Sequence, residues 1–531
     1  MAKQLAFQPL TNLGVNGLNL QHNPATLDTT WLTAADNIIL RESGRISFRK
    51  GLKQKVVPSG TAIGSMIEHN DQGTNKIFAS HGTSIYTIDF TAPNAAFPAS
   101  GADVKHTVGS STGNWQFINF NGRLNALHAG IVPQRYDGAL GSGSKWAVFN
   151  NSTKPSGVTT FDPSCGMGFY GRMYVGGVTE EKDVVYYSAL LDSDDFTGTG
   201  SGLIDLKTVW GTDEIIHIAP FFGKLIIFGK NNIVIYDNPA DIANATLDEV
   251  IKGIGLVNRD TVQAVGDDLV FLSETGLRSL SRTTEKDKLP LTDYSINIKD
   301  TLIRNISQST NAKSVYVENE GVYILSFVDK NITYAFDFKH FTPNKVPRVT
   351  TWTFDGDREP ASMIYTTLYS GLLVGQQDGG IAGYEGYHDT DLSWDSGAVY
   401  TNFPFVSDIS SIWLNLGQSI QASLLKKMIL VLEGGSGALL SLKWYKDFSP
   451  EPSEITTILL NPVTTGTVAL WGDSASLYGA SKYSPIYGLN EYRTSLTGSA
   501  KRLKLNLSIE SNGYDASIQD LTLLHKEGKI R

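Results

Sequence analysis

The sequence predicts an all-β protein, a β-propeller of about seven blades with a C-terminal β-sandwich. Three observations predict it. The 531 residues include 52 Gly, 22 Tyr and 23 Phe but only 18% charged residues, a balance that favours strands and turns over long helices. A two-strand unit recurs through the middle of the chain. After Tyr384 the pattern changes to longer, alternating strands.

The recurring unit starts at a Gly, Asn or Asp, runs through a strand, turns, and ends a second strand on an aromatic or apolar residue. Its copies are NKIFASHGTSIYTID, GRLNALHAGIVPQRYDG, GRMYVGGVTEEKDVVYYS, GKLIIFGKNNIVIYDN, DDLVFLSETGLRSLS, GVYILSFVDKNITYAFD and SGLLVGQQDGGIAGYE. They close on Ile88, Tyr136, Tyr187, Tyr236, Leu280, Phe336 and Tyr384, at spacings of 48, 51, 49, 44, 56 and 48 residues. One small sheet cannot bury both of its faces, whereas sheets stacked radially bury them against each other and expose only short edges. The clearest hairpin is GKLIIFGKNNIVIYDN, turning at Gly229–Asn232.

The reading therefore divides the chain into a lead and entry hairpin (1–60), a propeller (61–394) and a sandwich (395–531). In the last part KKMILVLEG and ALLSLKWYKD flank Gly434–Gly437 and read as a hairpin. KRLKLNLSIES alternates, with Leu503, Leu505, Leu507 and Ile509 on one face and Arg502, Lys504, Asn506 and Ser508 on the other, the mark of a half-buried antiparallel strand. ASIQDLTLLHKEGKIR supplies a final strand.

Charge is unevenly spread. The net charge of −9 divides into +4 for residues 1–60, zero for 395–531 and −13 for the middle. An acidic body argues against gripping nucleic acid, which needs clustered Lys and Arg. The single cysteine, Cys165, excludes an internal disulfide and a multi-cysteine metal site, and reads as a buried structural thiol. No apolar run approaches the roughly 18 residues of a membrane span. The start carries no secretory pattern, which places synthesis in a cytoplasm.

Catalytic signals are scarce. The nine histidines form no metal-binding spacing, and no phosphate-binding loop or nucleophile elbow occurs. GTGSGL at 198–203 reads as a blade-linking loop. In LLDSDDFTG, Asp192, Asp194 and Asp195 could offer oxygens to a cation, but the ligand pattern of an EF-hand is missing, and a polar turn is the expectation. No cofactor is expected.

The order of parts carries the most specific signal. A Gly-containing lead, NLGVNGLNLQHNPATLD, precedes WLTAADNIILRESGRISFRKG, then come propeller and sandwich. This layout resembles the tail nozzle (tail hub, or packaged-DNA stabilisation) proteins of short-tailed bacteriophages. The matching motif residues are Ala35, Asn37, Gly44, Ile46, Arg49 and Gly51. The family's usual proline near Arg49-Lys50-Gly51 is lacking. VVYYSALLDSDDF also resembles a phrase of such propellers, Tyr-Ser leading to an acidic turn and an aromatic residue. The resemblance implies a virion tail protein without catalytic residues: a homo-oligomeric ring, usually a hexamer, below the portal and adaptor rings. Such a ring continues the DNA channel, helps retain packaged DNA, supports its ejection and anchors fibres or spikes. DNA passes the lumen without tight binding. The alternatives are a propeller glycoside hydrolase or lyase and a carbohydrate-binding adhesin.

The stretch 32–54 brings these threads together. Asn37–Leu40 and Arg45–Arg49 are expected to pair as the entry hairpin of the propeller around Glu42-Ser43-Gly44, with Ile38, Leu40, Ile46 and Phe48 as apolar contacts. Its basic residues are expected on one exposed face, so Asn37, Arg41, Gly44, Arg45, Arg49, Lys50 and Gly51 are the candidate motif and subunit-contact residues.

Overall fold

The computed structural model describes the chain except for residues 1–4, 42–44, 89–102, 105–112, 141–143, 241–243, 281–290, 355–357, 370, 385–389, 395–399, 417–421, 435–436, 461–488, 511–515 and 529–531. It is all-β and built around a propeller. Six of the radial sheets are four-stranded blades, and the sheet that opens the series, Ile63–Asp71, Thr74–His81 and Ser84–Ile88, has three strands among the described residues.

We number the radial sheets in chain order, the opening sheet being the first. The second blade runs from Gln116 to Val148, the third from Cys165 to Asp205, the fourth from Ile215 to Lys252, the fifth from Gln263 to Asp293 and the sixth from Ala312 to Trp352. The seventh takes Pro360–Thr366, Gly371–Gln376 and Ile381–Tyr384 from the middle of the chain and Leu52–Val56 from near its start. The N-terminal strand thus closes the circle. First strands are innermost: Pro360–Thr366 packs on Ile63–Asp71, and their neighbours follow around the axis. Phe228 and Leu256 meet Phe271 between the fourth and fifth blades.

Every copy of the repeat is the second and third strands of one sheet. These strands are covered on both faces, so they read as apolar runs: in the fourth blade Leu225, Ile226, Ile227, Phe228, Ile233, Val234 and Ile235 are all buried.

The division at residues 60 and 394 does not follow the sheets. A second body consists of two sheets sharing one apolar core, and both ends of the chain build it. One sheet contains Ala6–Pro9, Ile38–Leu40, Ile46–Phe48, Ser423–Gly434, Leu489–Ser495 and Ala516–Lys526. The other contains Trp31–Asp36, Val406–Ser411, Arg502–Glu510, Leu439–Lys446 and Glu454–Leu459, and it runs on from the sixth blade through the Thr351–Asp36 pair. Met428, Leu430, Leu442, Trp444, Leu505 and Leu523 lie in its core, which continues into Leu272, Leu302 and Leu325 of the propeller side. Residues 395–531 are therefore not a separate unit.

Two further expectations change. Ser423–Gly434 and Leu439–Lys446 are not hairpin partners, because the chain crosses between the two sheets at this turn. The hairpin of Ile38–Leu40 with Ile46–Phe48 forms in the expected register, Ile38 opposite Phe48 and Leu40 opposite Ile46, but it joins the second body through Ile46 and Ile518 instead of entering the propeller. The alternation of 502–510 holds: Leu503, Leu505, Leu507 and Ile509 are buried, and Asn506, also buried, donates to Asp408 Oδ1 (2.8 Å) and Ser410 Oγ (2.9 Å).

Candidate functional site

Three places combine residues that the fold did not need to bring together: the junction around Asn37 and Arg49, the propeller axis, and the turn tips of the third and fourth blades.

At the junction, Asn37 adopts a left-handed conformation (φ 54°), one that Asn tolerates better than most residues. The kink takes the chain out of one sheet of the second body and into the other. Every polar group of Asn37 is used. Its N–H donates to Thr351 O (2.8 Å), and its carbonyl accepts from Arg49 N (3.0 Å) and Ser407 Oγ (3.0 Å). Its side-chain amide donates to Thr353 Oγ1 (2.7 Å) and Val406 O (2.8 Å), while Oδ1 accepts from Arg49 Nε (2.9 Å) and Thr353 N (3.0 Å).

Arg49, expected on an exposed face, is fully buried. Its Nη1 donates to Lys50 O (3.0 Å) and its Nη2 to Thr353 O (3.1 Å), and the guanidinium lies 3.7 Å from the ring centre of Phe405 and 5.0 Å from that of Phe354. The planar, always-charged guanidinium is weakly hydrated, so it tolerates such a site where an ammonium would not. Arg45 pairs with Glu433 of the second body (2.8 Å), and Lys50 pairs with Glu320 of the sixth blade. Gly51 is buried, Arg41 is half-buried and donates its backbone N–H to Arg45 O (2.9 Å), and Gly44 lies outside the described residues. The motif residues thus tie the propeller to the second body within one chain.

At the propeller axis, first strands and their approaches surround a cavity of about 220 Å³. Sequence reading did not single out its residues. Arg259 reaches across to Ser164 O (2.6 Å), Asn114 O (2.6 Å) and Asn114 Oδ1 (3.2 Å), and its Nε meets Asp260 Oδ1 (3.2 Å). Lys313 donates to Asp260 Oδ2 (2.6 Å) and to Asn114. These side chains lie deep within the protein, yet Arg259 and Asp260 keep 12% and 22% of their side-chain surface because they line the cavity. Burial pushes the Asp260 carboxyl upward, but Lys313 and Arg259 outweigh it and hold it at about 2. Burial, opposed by Asp260, pushes the Lys313 ammonium below its usual range. Burial also brings the His217 imidazole down to about 4, so it is neutral at neutral pH. Trp115 Nε1, His217 Nδ1 and Ser65 Oγ have no hydrogen-bond partner.

At one end of the propeller, the turns joining first and second strands follow a single design. Gln72-Gly73, Asn121-Gly122, Tyr170-Gly171 and Phe222-Gly223 all have positive φ at both positions, the geometry of two-residue turns that match strand twist. The first two blades place a polar residue there. The next two place an aromatic ring, for which positive φ is an outlier costing about 1–2 kcal/mol. Leu191 shares the conformation (φ 60°). Tyr170, Leu190, Leu191 and Phe222 are 50%, 59%, 57% and 62% exposed. They are neighbours: Leu191 N donates to Gly171 O (2.7 Å), Asn121 Nδ2 donates to Leu191 O (2.7 Å), and a Cβ placed on Gly223 would stand 3.5 Å from Tyr170 Oη. Among the described residues one other bulky apolar residue, Phe448, has positive φ, and its ring packs on Trp413 (4.9 Å).

The remaining sequence candidates take ordinary places. Asp195 Oδ1 accepts from Thr197 N (3.0 Å) and Gly198 N (2.8 Å), Asp194 pairs with Arg135, and Asp192 approaches Arg123 (3.7 Å), so LLDSDDFTG is a polar turn tied to the second blade. Cys165 is buried and its thiol is pushed up to about 12 by burial. Among the described residues no group of His, Cys, Asp and Glu is placed to hold a metal ion. Among the described residues no helix is long and apolar enough to cross a membrane. No protein-family model and no curated protein matches the chain.

Proposed function

We propose that the chain is a structural virion protein, one subunit of a tail nozzle ring of a short-tailed bacteriophage. In this reading copies close head to tail into a ring, a hexamer, below the adaptor and portal. The ring forms the DNA exit channel, helps retain packaged DNA, supports its ejection and offers docking places for fibres or spikes. The observation that carries the reading is the apolar tip of the third and fourth blades. Four large apolar side chains stand together in solvent, three of them on backbone that resists them. Strain of this kind persists where a function uses it, and a contiguous exposed apolar patch marks a contact surface. A subunit that closes a ring needs such a surface.

Two other features support it. The resemblance-bearing motif, Asn37 with Arg49, locks the propeller to the second body, as a subunit that withstands the pressure of packaged DNA requires. Arg259, Asp260 and Lys313 reach across the propeller's own axis and leave only a small cavity there, so the DNA path in this reading is the hole between subunits, lined by an acidic body that keeps DNA mobile. The axial cavity offers one carboxylate, already held by two cations. A hydrolase needs a pair flanking the scissile bond, and this favours the structural reading.

The test separates assembly from folding. Asn suits positive φ, so the double variant Tyr170→Asn/Phe222→Asn keeps or slightly raises thermal stability while removing the apolar tip. Electron micrographs of the purified wild-type chain are expected to show rings with a central hole of about 20 Å or more, the width of a duplex, and the double variant is expected to stay monomeric. A wild-type chain that stays monomeric at high concentration and binds no adaptor ring overturns the reading.

A further inference from the structure

The proposed ring needs two surfaces, and the tip is only one of them. In a ring of more than two like subunits each contact joins two different patches, one from each neighbour. The tip of the third and fourth blades must therefore meet another surface on the next copy. The fourth blade carries a suitable one at its other end. Ile215–Phe221, a strand of 7 residues, runs up to the Phe222-Gly223 turn, and Lys224–Gly229 runs back from it. Glu214, Ile216 and Lys230, at the far ends of these strands, line a cavity of about 550 Å³. At about 3.3 Å for each residue, tip and cavity stand roughly 20 Å apart. The fifth blade adds Glu274 to the walls, from the turn between Asp268–Ser273 and Gly276–Leu280, and the helix Lys299–Gln308 adds Ile303, Ile306 and Ser307.

We propose that a second copy of this chain fills the cavity: the tip of one subunit, led by Phe222, seats between the fourth and fifth blades of the next. The proposal rests on the ring reading and names the surface that the tip meets. The cavity suits it in chemistry. Its apolar residues are Leu256 and Ile306, both buried, and Ile216, Val257 and Ile303, half-buried, while Lys230, Glu274 and Ser307 are exposed. It suits it in size. A cavity of about 150 Å³ already holds a benzene ring, so this one has room for the Phe222 ring with a leucine beside it. The area also fits. A whole aromatic side chain buries about 150–250 Å², so Tyr170 and Phe222, at 50% and 62% exposure, together offer about 200 Å². That is about a quarter of the ~800 Å² that each partner gives to a stable interface. Leu190 and Leu191 enlarge it. Such a concentration of area at one point is the mark of an anchor, with the surrounding contacts contributing little.

The test uses the full chain and alters the cavity, leaving the tip intact. Ile303→Glu puts a charge among the apolar walls, and Ser307→Arg fills the mouth from an exposed position. Each should raise the concentration at which rings form at least about thirtyfold, the effect of losing one anchor. Because Ile303→Glu can compromise folding, Ser307→Arg, with an unchanged thermal midpoint, decides the matter. The sharpest arm mixes the Ser307→Arg chain with the Tyr170→Asn/Phe222→Asn chain. The first keeps a good tip and the second a good cavity, so one contact can form between them and no more. Sedimentation velocity should show dimers that grow no further in the mixture and monomers in either chain alone. Rings of the Ser307→Arg chain at wild-type concentrations, or a mixture that stays monomeric, would overturn this pairing and leave the ring to another surface. A wild-type chain that never assembles would overturn both.

Discussion

Two of the places where the molecule buries cations are built differently. At the junction, all three nitrogens of Arg49 meet oxygens, its face meets Phe405, and the surrounding donors and acceptors of Asn37 are all in use. At the axis, Arg259 and Lys313 share one carboxylate beside a cavity, and donors remain. The difference separates a site that is finished by the fold from one that is not. A closed network fixes one conformation and does nothing else. At the axis part of the charged cluster instead stays in contact with a cavity.

Replacing Arg49 should have the largest effect on the molecule. Arg49→Met leaves Asn37 Oδ1 and the carbonyls of Lys50 and Thr353 short of a donor in a buried place, so a loss of about 3–5 kcal/mol is expected. Denaturant titration measures it. Soluble chain with near-native stability would show that the junction does not need its cation. Lys313→Met comes next. It strips Asp260 of one of two cations, but Arg259 remains and the cavity lets water in, so the expected loss is smaller, about 2–3 kcal/mol. If Lys313→Met proved the costlier of the two, the contrast between a closed and an open site would fail.

Sequence reading met these two sites unequally. The repeat was legible because second and third strands are apolar on both faces, and the closing residues from Ile88 to Tyr384 mark the third strand of every radial sheet. First strands line a polar axis, and fourth strands vary, partly exposed in the second to fourth blades and buried in the sixth, so neither repeats an apolar signature. That is why Arg259, Asp260, Lys313 and Trp115 passed unnoticed: Arg259 and Asp260 lead into the fifth blade, Lys313 stands on the sixth and Trp115 leads into the second, and only the circular arrangement brings them within reach. The motif around Asn37 and Arg49 was visible as a pattern. Its burial was not, because Phe405, Thr353 and Ser407 reach it from more than three hundred positions away. The hairpin expected at Gly434–Gly437 failed for a related reason, since a turn with four small residues serves a crossing between sheets as well as a reversal within one. The aromatic tips were hidden too, for a Tyr-Gly or Phe-Gly turn reveals its strain only through φ.

The axis also carries a pH signature of intermediate size. The folded pKa of His217, about 4, lies below the ordinary 6.5, so between these values the unfolded chain binds a proton that the folded chain refuses. Stability therefore rises with pH across this window, by up to about 3 kcal/mol from this one group. His69, His128 and His525 are shifted the same way by burial and add to the slope. His217→Gln should reduce the pH dependence between 4 and 6.5 without removing it, as measured by thermal denaturation at several pH values. An unchanged slope would mean that His217 exchanges protons as readily in the folded chain as in the unfolded one, and the axis would be wetter than its walls imply.

The smallest effect is expected at Arg45, four positions from Arg49 on the same hairpin. Its ion pair with Glu433 is one-third exposed on both sides, 33% and 29%, and Glu433 also accepts from Gln519 Nε2 (2.7 Å), so the carboxylate keeps a partner when Arg45 is removed. Partly exposed pairs contribute less than about 1 kcal/mol and weaken with salt. Arg45→Ala should therefore move the midpoint of unfolding slightly, and less still at high ionic strength. Ring formation in electron micrographs should persist, because the pair closes within one chain. Loss of rings with an unchanged unfolding midpoint would assign Arg45 to a neighbouring subunit instead, and the hairpin would then have two jobs, with Arg49 turned inward to hold the chain and Arg45 turned outward to hold the ring.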